Sequence, residues 1–250
     1  MAGHSKWKQI KRKKAVTDSR RASAWTKLIR EITVAAKAGG GDPDGNPRLR
    51  LAIDTAREAN MPNANIERAV KKGTGELEGE QIVELAYEGY GPAGVAIYVE
   101  ATSDNPTRTV ADVRHAFSRN GGTLGATNSV AWLFDRKGQI TLDAGKVTNE
   151  ERALEAALEA GAEDFSRDGD QYLVATAPFE LHNVLAALKA KGYDSESAEV
   201  AMVPRNTIKV EGKDAAQLMK LLDALEELDD VAKVFSNFEM DADAMAEAEA

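Results

Sequence analysis

The chain has 250 residues, of which 43% are hydrophobic and 29% charged, and it contains no cysteine. This composition is typical of a soluble globular protein, and the length favours two or three domains over a single core. The absence of cysteine excludes disulfides, thiolate metal sites and thiol nucleophiles, and no stretch approaches the roughly 18 apolar residues of a membrane helix. We therefore expect a cytoplasmic protein that has no membrane partner.

Charge is distributed unevenly along the chain. Residues 1–72 carry 17 Lys/Arg and 7 Asp/Glu, a net charge of +10, whereas residues 73–250 carry a net charge of −19, and the whole chain carries −9. The first fourteen residues, MAGHSKWKQIKRKK, hold six cations, one tryptophan and no acid. Binding of a polyanion depends on the local field, so an acidic remainder is compatible with nucleic-acid binding at the basic end.

Helical periodicity follows this basic arm. Apolar residues spaced three and four apart predict a helix over residues 18–38, and three glycines end it. Asn46, followed by a proline, is the expected N-cap of a second helix, and Pro62 is expected to begin a third. Residues 1–75 are thus predicted to form a basic helical domain with an N-terminal arm.

A glycine-rich linker is predicted from Gly73 to Gln81, where the sequence changes from basic to acidic. Short β-type runs follow it. They predict strands over residues 82–87, 95–99 and 129–134, with a helix over residues 105–120.

The next block has the element order of a complete folding unit. The order βαββαβ is that of a ferredoxin-like domain. A further strand, helix and strand over residues 207–238 cannot bury a sheet face alone, so we expect it to join residues 95–134 in a second ferredoxin-like unit. The elements of the first unit are predicted at residues 139–142, 148–160, 164–166, 172–176, 179–190 and 197–202.

The predicted fold is therefore α+β and multi-domain. An N-terminal three-helix domain is followed by two ferredoxin-like α+β domains, and the third domain is inserted into the second. The acidic C-terminal tail is expected to be disordered because it has little apolar content. The predicted boundaries are 1–75 for the helical domain, 80–135 plus 205–240 for domain two, 136–204 for domain three and 241–250 for the tail.

Catalytic motifs are absent from the sequence. The three histidines, His4, His115 and His182, fall in separate predicted segments without a second ligand at metal-binding spacing. There is no GxSxG motif, and KKGTGE lacks the GK[ST] that completes a phosphate loop. Acidic pairs carry little information in a chain with 41 Asp/Glu. We therefore predict a protein that is not an enzyme, with no catalytic residue, no metal and no cofactor.

The segment DNPTRT, residues 104–109, could bind an anion. It places an amide, an arginine and two hydroxyls at the start of a predicted helix, where free backbone N–H groups attract negative charge. An ordinary helix cap explains half of the same composition, so both interpretations stay open. The residues of this possible second anion site are Asn105, Thr107, Arg108 and Thr109.

The basic arm and the helices after it are the predicted nucleic-acid contact. Lysine and arginine neutralise phosphates and release counterions, and a tryptophan among lysines can stack on an unpaired base. The alternative role of that tryptophan is to anchor the arm to the helical domain. The candidate contact residues are Lys6, Trp7, Lys8, Lys11, Arg12, Lys13, Lys14, Arg20, Arg21, Lys27, Arg48, Arg50 and Arg57.

Several long segments are specific enough to indicate a family. They are MAGHSKW, IKRKK, KLIREITVAAKAGGGDP, NPRLRLAIDTAREANMP, YEGYGPAGVAIYVEA, TRTVADVRHAFSRNGGTLG and SVAWLF. Together they resemble the YebC/PmpR family, which includes the mitochondrial translational activator of cytochrome c oxidase. The resemblance implies a helical first domain, two α+β domains and a non-enzymatic regulator of gene expression. DNPTRT stands where the family has a DNRNRT-like segment, and the lost arginine weakens the case for an anion site there.

The expected partner is a nucleic acid, either duplex DNA, as for a transcriptional regulator, or ribosomal RNA on the ribosome, as for a translation factor. Neither composition nor motif separates these two. An alternative hypothesis is that the two α+β units bind a small molecule or form a dimer, with the basic arm as the output.

Overall fold

The computed structural model describes residues 18–79 and 81–241, with side chains from residue 23 onward. Three helices form the N-terminal domain, and all three were predicted. Their apolar faces meet in one core, to which Ile32, Leu49, Ile53 and Ile66 contribute. The helices are α1 (Asp18–Gly39), α2 (Pro47–Glu58) and α3 (Asn63–Gly73).

Asn46 fixes the angle between α1 and α2. Its side-chain oxygen accepts a hydrogen bond from the Leu49 N–H at 3.1 Å, so it caps α2 as predicted. Its amide nitrogen donates to the carbonyls of Ala35 at 2.8 Å and Gly40 at 2.9 Å, at the other helix's end. One buried side chain therefore satisfies backbone groups at both helix ends.

The first sheet has the strand order β3-β1-β2-β9, and every pairing in it is antiparallel. Two helices, α4 and α7, pack on it, and Val99, Phe117, Leu218 and Leu222 lie in the core between them. The elements are β1 (Val83–Tyr90), β2 (Ala96–Ser103), α4 (Pro106–Arg119), β3 (Thr123–Leu124), α7 (Gly212–Glu226) and β9 (Val231–Ser236).

The second sheet has the strand order β5-β6-β4-β7 and is also antiparallel. With its two helices it forms a ferredoxin-like βαββαβ unit, as the sequence predicted. Ile140, Val174, Val184 and Leu188 are fully buried in its core. The elements are β4 (Phe134–Asp143), α5 (Glu150–Glu159), β5 (Asp164–Asp168), β6 (Gln171–Thr176), α6 (Leu181–Ala190) and β7 (Ser195–Pro204).

Two predictions about the first sheet are wrong. The predicted strand over residues 129–134 is instead a loop with a 3-10 turn at Ala131–Leu133, and β4 begins at Phe134. The predicted strand at residues 207–210 does not join the first sheet. It is β8 (Ile208–Lys209), which pairs in parallel with β10 (Phe238–Glu239) in a separate ribbon. The two central strands of the first sheet are β1 and β2.

The physical reason for the first error lies in tertiary packing. The apolar side chains of Val130 and Phe134 are buried where the two sheets meet, together with Ala96, Ala201 and Phe235. An apolar run at such a junction has the composition of a strand without the hydrogen bonds of one.

None of the helices within residues 18–79 and 81–241 combines the length and apolar character needed to cross a bilayer.

Candidate nucleic-acid interface

All seven candidates in the arm lie outside the described residues. Arg20 and Arg21 belong to α1, but the description of side chains begins after them. The structure therefore places four of the predicted contact residues, Lys27, Arg48, Arg50 and Arg57. The candidates outside the described residues are Lys6, Trp7, Lys8, Lys11, Arg12, Lys13 and Lys14.

Lys27 is half-buried on α1 and points at the end of α7. Its Nζ donates to the carbonyl oxygen of Glu226 at 2.5 Å. Carbonyls at a helix C-terminus carry partial negative charge and lack partners within the helix, so a lysine there is favourable. Lys27 joins the helical domain to the first sheet's helix layer.

Arg48 connects α2 to the first sheet. Its Nε donates to Glu31 at 2.8 Å, and its Nη2 donates to Glu84 of β1 at 2.7 Å. Partial burial lowers the pKa of Arg48, but the two carboxylates outweigh this effect and raise it above the ordinary value. Arg48 is thus held in place by two acids of the same chain.

Arg50 connects α2 to the second sheet's unit. Its Nη1 lies 3.0 Å from Nε2 of His182, and other nitrogens donate to the carbonyls of Pro43 and Asp44, each at 2.9 Å. Since a guanidinium has only donors, Nε2 of His182 is the acceptor in this contact. Leu51, the next residue, packs against the core of the same unit.

Of the four placed candidates, Arg57 is the one most open to solvent. Its side chain is 61% exposed and makes a weak ion pair with Asp54 at 3.5 Å, one turn earlier on α2. Three further cations, Arg68, Lys71 and Lys72, are exposed on α3, and the described residues give them no ion pair. Their spacing of three and four residues puts them on one face of the helix. This is the basic surface that the described part of the helical domain presents.

Asp230 is a buried carboxylate where α1, α4 and the end of α7 meet. It accepts hydrogen bonds from Thr109 at 2.7 Å, Ser103 at 3.1 Å and Arg108 at 2.8 Å. Arg30 of α1 forms an ion pair with it at 2.9 Å. Burial alone would raise the pKa of Asp230, but the bonds from Thr109 and Arg108, with the charge of Arg30, hold it below its usual range.

The possible second anion site is organised around this carboxylate. Arg108 and Thr109 both bind Asp230, so the anion that they contact is a side chain of the same protein. Asn105 caps α4 by accepting a hydrogen bond from the Arg108 N–H at 3.1 Å, as the helix-cap interpretation predicted. Thr107 is exposed in the first turn.

The contacts between α1 and the end of α7 form one continuous interface, which we call the α1–α7 latch. Two of its contacts are described above, from Lys27 to the Glu226 carbonyl and from Arg30 to the Asp230 carboxylate. In addition, Arg30 donates to the Asp229 carbonyl at 2.7 Å, and Ser23 donates to the Asp229 carboxylate at 3.0 Å. The α1 members are spaced four and three residues apart, so they share one helix face. The latch comprises Ser23, Lys27 and Arg30 on one side and Glu226, Asp229 and Asp230 on the other.

Histidine and carboxylate clusters do not form a metal site within residues 18–79 and 81–241. His115 is exposed on α4, and His182 is the acceptor for Arg50.

Comparison with known proteins gives the family. A family model described as the TACO1/YebC N-terminal domain matches residues 5–76, and one described as the TACO1/YebC second and third domain matches residues 82–238. The chain belongs to the TACO1/YebC family. The resemblance to YebC/PmpR proteins is thereby confirmed, and the three-domain α+β architecture agrees with it.

Relatives within the TACO1/YebC family are similar over their whole length. A protein from Gemmatimonas aurantiaca is 61% identical over 248 residues, covering 99% of this chain and 100% of that protein. One from Chlorobium luteolum is 55% identical over 246 residues, with 98% of each chain covered. Both are named "Probable transcriptional regulatory protein". A crystal structure of a conserved hypothetical protein from Aquifex aeolicus is 49% identical, with a TM-score of 0.82 over 90% of this chain and 92% of that one.

The latch is the feature of this TACO1/YebC chain that sequence reasoning missed. Lys27, Arg48 and Arg50 were predicted as phosphate contacts because they are cations in a basic segment, whereas in the structure each binds another part of the chain. One signal was available. Ser23, Lys27 and Arg30 lie on one face of α1, and the segment that they contact, EELDD at residues 226–230, is rich in acids.

Proposed function

We propose that this protein is a non-enzymatic regulator of gene expression that binds nucleic acid through its basic N-terminal arm and helical domain. The observation that carries the proposal is the division of charge, +10 in residues 1–72 and −19 in the remainder. The names of the relatives support a regulatory role. The exposed cations of α3 support a contact that extends beyond the arm.

The cations of the helical domain divide into two groups with different roles. Lys6, Lys8, Lys11 and the Arg12–Lys14 run dock on phosphates, with Trp7 available to stack on a base. Arg20, Arg21 and Arg57 belong to the same group of phosphate contacts. Lys27, Arg48 and Arg50 hold the helical domain against the two α+β units, so that its basic surface keeps a fixed orientation.

Binding is electrostatic at long range and depends on salt. The acidic remainder repels a polyanion from most approaches, and the basic end attracts it, which favours one orientation of encounter. Because each neutralised phosphate releases counterions, the affinity falls steeply as salt rises.

The choice between duplex DNA and ribosomal RNA is tested by two binding measurements across the same salt series. One is sedimentation of the protein with ribosomes, and the other is a gel shift on duplex DNA. We favour neither target in advance. Co-sedimentation at a salt concentration that abolishes the DNA shift would exclude the transcriptional role, and the opposite order would exclude the ribosomal one.

Replacing Lys11, Arg12, Lys13 and Lys14 together by alanine is expected to weaken nucleic-acid binding by about tenfold or more at 0.1 M salt. On duplex DNA the slope of log affinity against log salt should flatten by about 3 to 4 units, since each phosphate contact contributes about 0.9. Binding is measured by fluorescence anisotropy, with circular dichroism as the check that the helices remain.

The matched control removes the same number of charges from exposed positions elsewhere. Arg136, Lys146, Arg152 and Lys189 are exposed in the second sheet's unit, and their replacement by alanine should change the slope much less. Equal effects of the two quadruple variants would mean that net charge, and not the arm, governs binding.

A further inference from the structure

The turn between α2 and α3 is short and is fixed by its own backbone. Asn60 has a φ of 57°, a left-handed conformation that asparagine adopts more readily than most residues. Its N–H donates to the Arg57 carbonyl, and the Met61 N–H donates to the Ala56 carbonyl, each at 2.9 Å. These two bonds form a Schellman motif, which ends α2 and turns the chain within residues 59–62. The turn therefore sets the direction in which α3 begins.

Buried contacts hold α3 against the other helices of the domain. Met61, Ile66 and Ala69 lie in the core that α1 and α2 share. The Ala69 carbonyl accepts a hydrogen bond from the Thr33 hydroxyl at 3.3 Å, and a β-carbon on Gly73 would lie 2.4 Å from the Thr33 carbonyl. The inner face of α3 is thus packed closely on α1, and the opposite face is presented to solvent in one orientation.

The outward face of α3 is basic. Ala64, Arg68 and Lys71 are exposed, and their spacing of four and three residues puts them on one face of the helix. Lys72 and Glu67 are exposed on either side of this row, so three cations and one acid give the face a net positive charge. The described residues provide no ion pair for any of the three cations.

This face does not join the domains to one another. The contacts described above between the helical domain and the two α+β units come from α1, through the latch, and from α2, through Arg48 and Arg50. Since α3 takes part in none of them, a partner reaches its outward face without displacing these contacts. The small side chain of Ala64 also lets a partner come close to the helix backbone.

The side chains of this face suit a double helix better than a single strand. The sequence of α3, NANIERAVKKG, contains no aromatic ring on which an unpaired base would stack. Arginine donates to guanine in the major groove, and lysine neutralises phosphates. A helix about 10–12 Å wide fits the roughly 12 Å major groove of B-form DNA, whereas the major groove of A-form RNA is deep and narrow. The face therefore matches duplex DNA.

We propose that α2, the turn and α3 act as a helix-turn-helix unit, with α3 in the major groove of duplex DNA. Such a unit joins two helices by a turn of about three to four residues and reads bases with the second helix. Arg68 contacts base edges there, and Lys71 and Lys72 contact the flanking phosphates. The inference rests on the proposed function and deepens it, because it names the ligand and assigns base contact to one residue.

The test compares two labelled DNA duplexes of the same mixed sequence, each about two helical turns long. In the second duplex every cytosine is replaced by glucosylated 5-hydroxymethylcytosine, whose sugar fills the major groove and leaves the phosphates unchanged. Binding is measured by fluorescence anisotropy. Arg68→Ala should weaken binding to the plain duplex about tenfold and to the filled duplex by less than about twofold, because α3 is already excluded from the filled groove. Arg152→Ala, at an exposed position of α5, is the matched control.

The lysines are tested through the salt dependence. Lys71→Ala combined with Lys72→Ala should flatten the slope of log affinity against log salt on the plain duplex by about 1.8 units, about 0.9 for each phosphate contact. Arg152→Ala combined with Lys189→Ala removes two exposed cations from the second sheet's unit and should change the slope much less. Circular dichroism verifies that each variant is folded.

The outcomes separate this inference from the proposed function. If Arg68→Ala binds the plain duplex as well as Arg152→Ala does, while the quadruple arm variant loses binding, α3 is not in the groove and the arm contact stands. If the quadruple arm variant binds as strongly as the unaltered protein while Arg68→Ala loses binding, the arm assignment fails and this one stands.

Two results would overturn the groove assignment although α3 bound nucleic acid. Equal losses of Arg68→Ala on the plain and filled duplexes would make Arg68 a phosphate contact. An equal loss on an RNA duplex of the same sequence would exclude the major groove as the site, since a helix cannot enter it there. An unaltered protein that binds neither DNA duplex overturns this inference, and one that also fails to sediment with ribosomes overturns the proposed function.

Discussion

Replacing Glu88 by alanine is expected to lower the free energy of unfolding by about 3–5 kcal/mol, because three backbone N–H groups lose a charged acceptor inside the protein. The affected groups belong to the loop before β4, where the two sheets meet. Urea unfolding followed by tryptophan fluorescence and by far-ultraviolet circular dichroism measures the change. Glu88→Gln should also destabilise, because its amide nitrogen cannot accept these bonds.

Glu84→Ala is the matched control on the same strand. Glu84 is exposed, and its contact with Arg48 is a solvated ion pair at 2.7 Å. Such pairs contribute roughly 0–1 kcal/mol. If Glu88→Ala cost no more than Glu84→Ala, the three backbone bonds would not stabilise the loop.

Replacing Asp230 by alanine is expected to lower the free energy of unfolding by about 3–5 kcal/mol and to release the helical domain from the end of α7. The variant leaves two guanidinium groups, of Arg30 and Arg108, close together without the carboxylate between them, and it removes the acceptor of two hydroxyls. Thermal unfolding measures the loss of stability. Limited proteolysis should cut the segment after α3 faster in the variant, because the latch no longer holds α1.

Asp112→Ala provides the control, since Asp112 is an exposed acid on α4 with no partner among the described residues. It should leave both stability and proteolysis nearly unchanged. Rapid cleavage in both variants, or in neither, would show that the latch does not hold the helical domain in place.

The acid dependence of the same contact follows from the direction of the pKa shift. The pKa of Asp230 is held below its usual range in the folded protein, so its contribution is complete above the unfolded value of about 3.9. The contribution is lost as pH falls through the lower folded value. The stability difference between the unaltered protein and Asp230→Ala should thus be constant from neutral pH to about pH 4 and shrink below it.

Elements whose signals are local could be predicted from the sequence. The three N-terminal helices follow from apolar spacing with glycine and proline at their ends, and the ferredoxin-like order of the second sheet follows from alternating strand and helix patterns. The caps at Asn46 and Asn105 were predictable because capping needs only residues within one turn.

Elements that depend on distant partners could not be predicted in the same way. Residues 129–134 were interpreted as a strand because they form an apolar run, whereas in the structure these apolar residues fill the sheet junction. The acid that holds the loop, Glu88, is 40 or more residues earlier in the chain. The latch joins residues about 200 positions apart in the chain, such as Lys27 and Glu226, separated by 199. Charge alone identifies a cation and gives no information on whether a carboxylate or a phosphate will lie beside it.

The pairing of β4 with β7 has a consequence for how such a chain can change over time. Phe134 is opposite Pro204, and the Arg205 N–H donates to the Leu133 carbonyl at 2.9 Å, so the segment between them leaves and returns at one point. Leu133 and Arg205, the residues on either side of the unit, are thus already hydrogen-bonded to each other. An exchange of the ferredoxin-like unit between genes would therefore keep the chain path of the rest of the protein, but Ala96, Val130 and Phe235 would need a new apolar partner in place of Phe134 and Ala201.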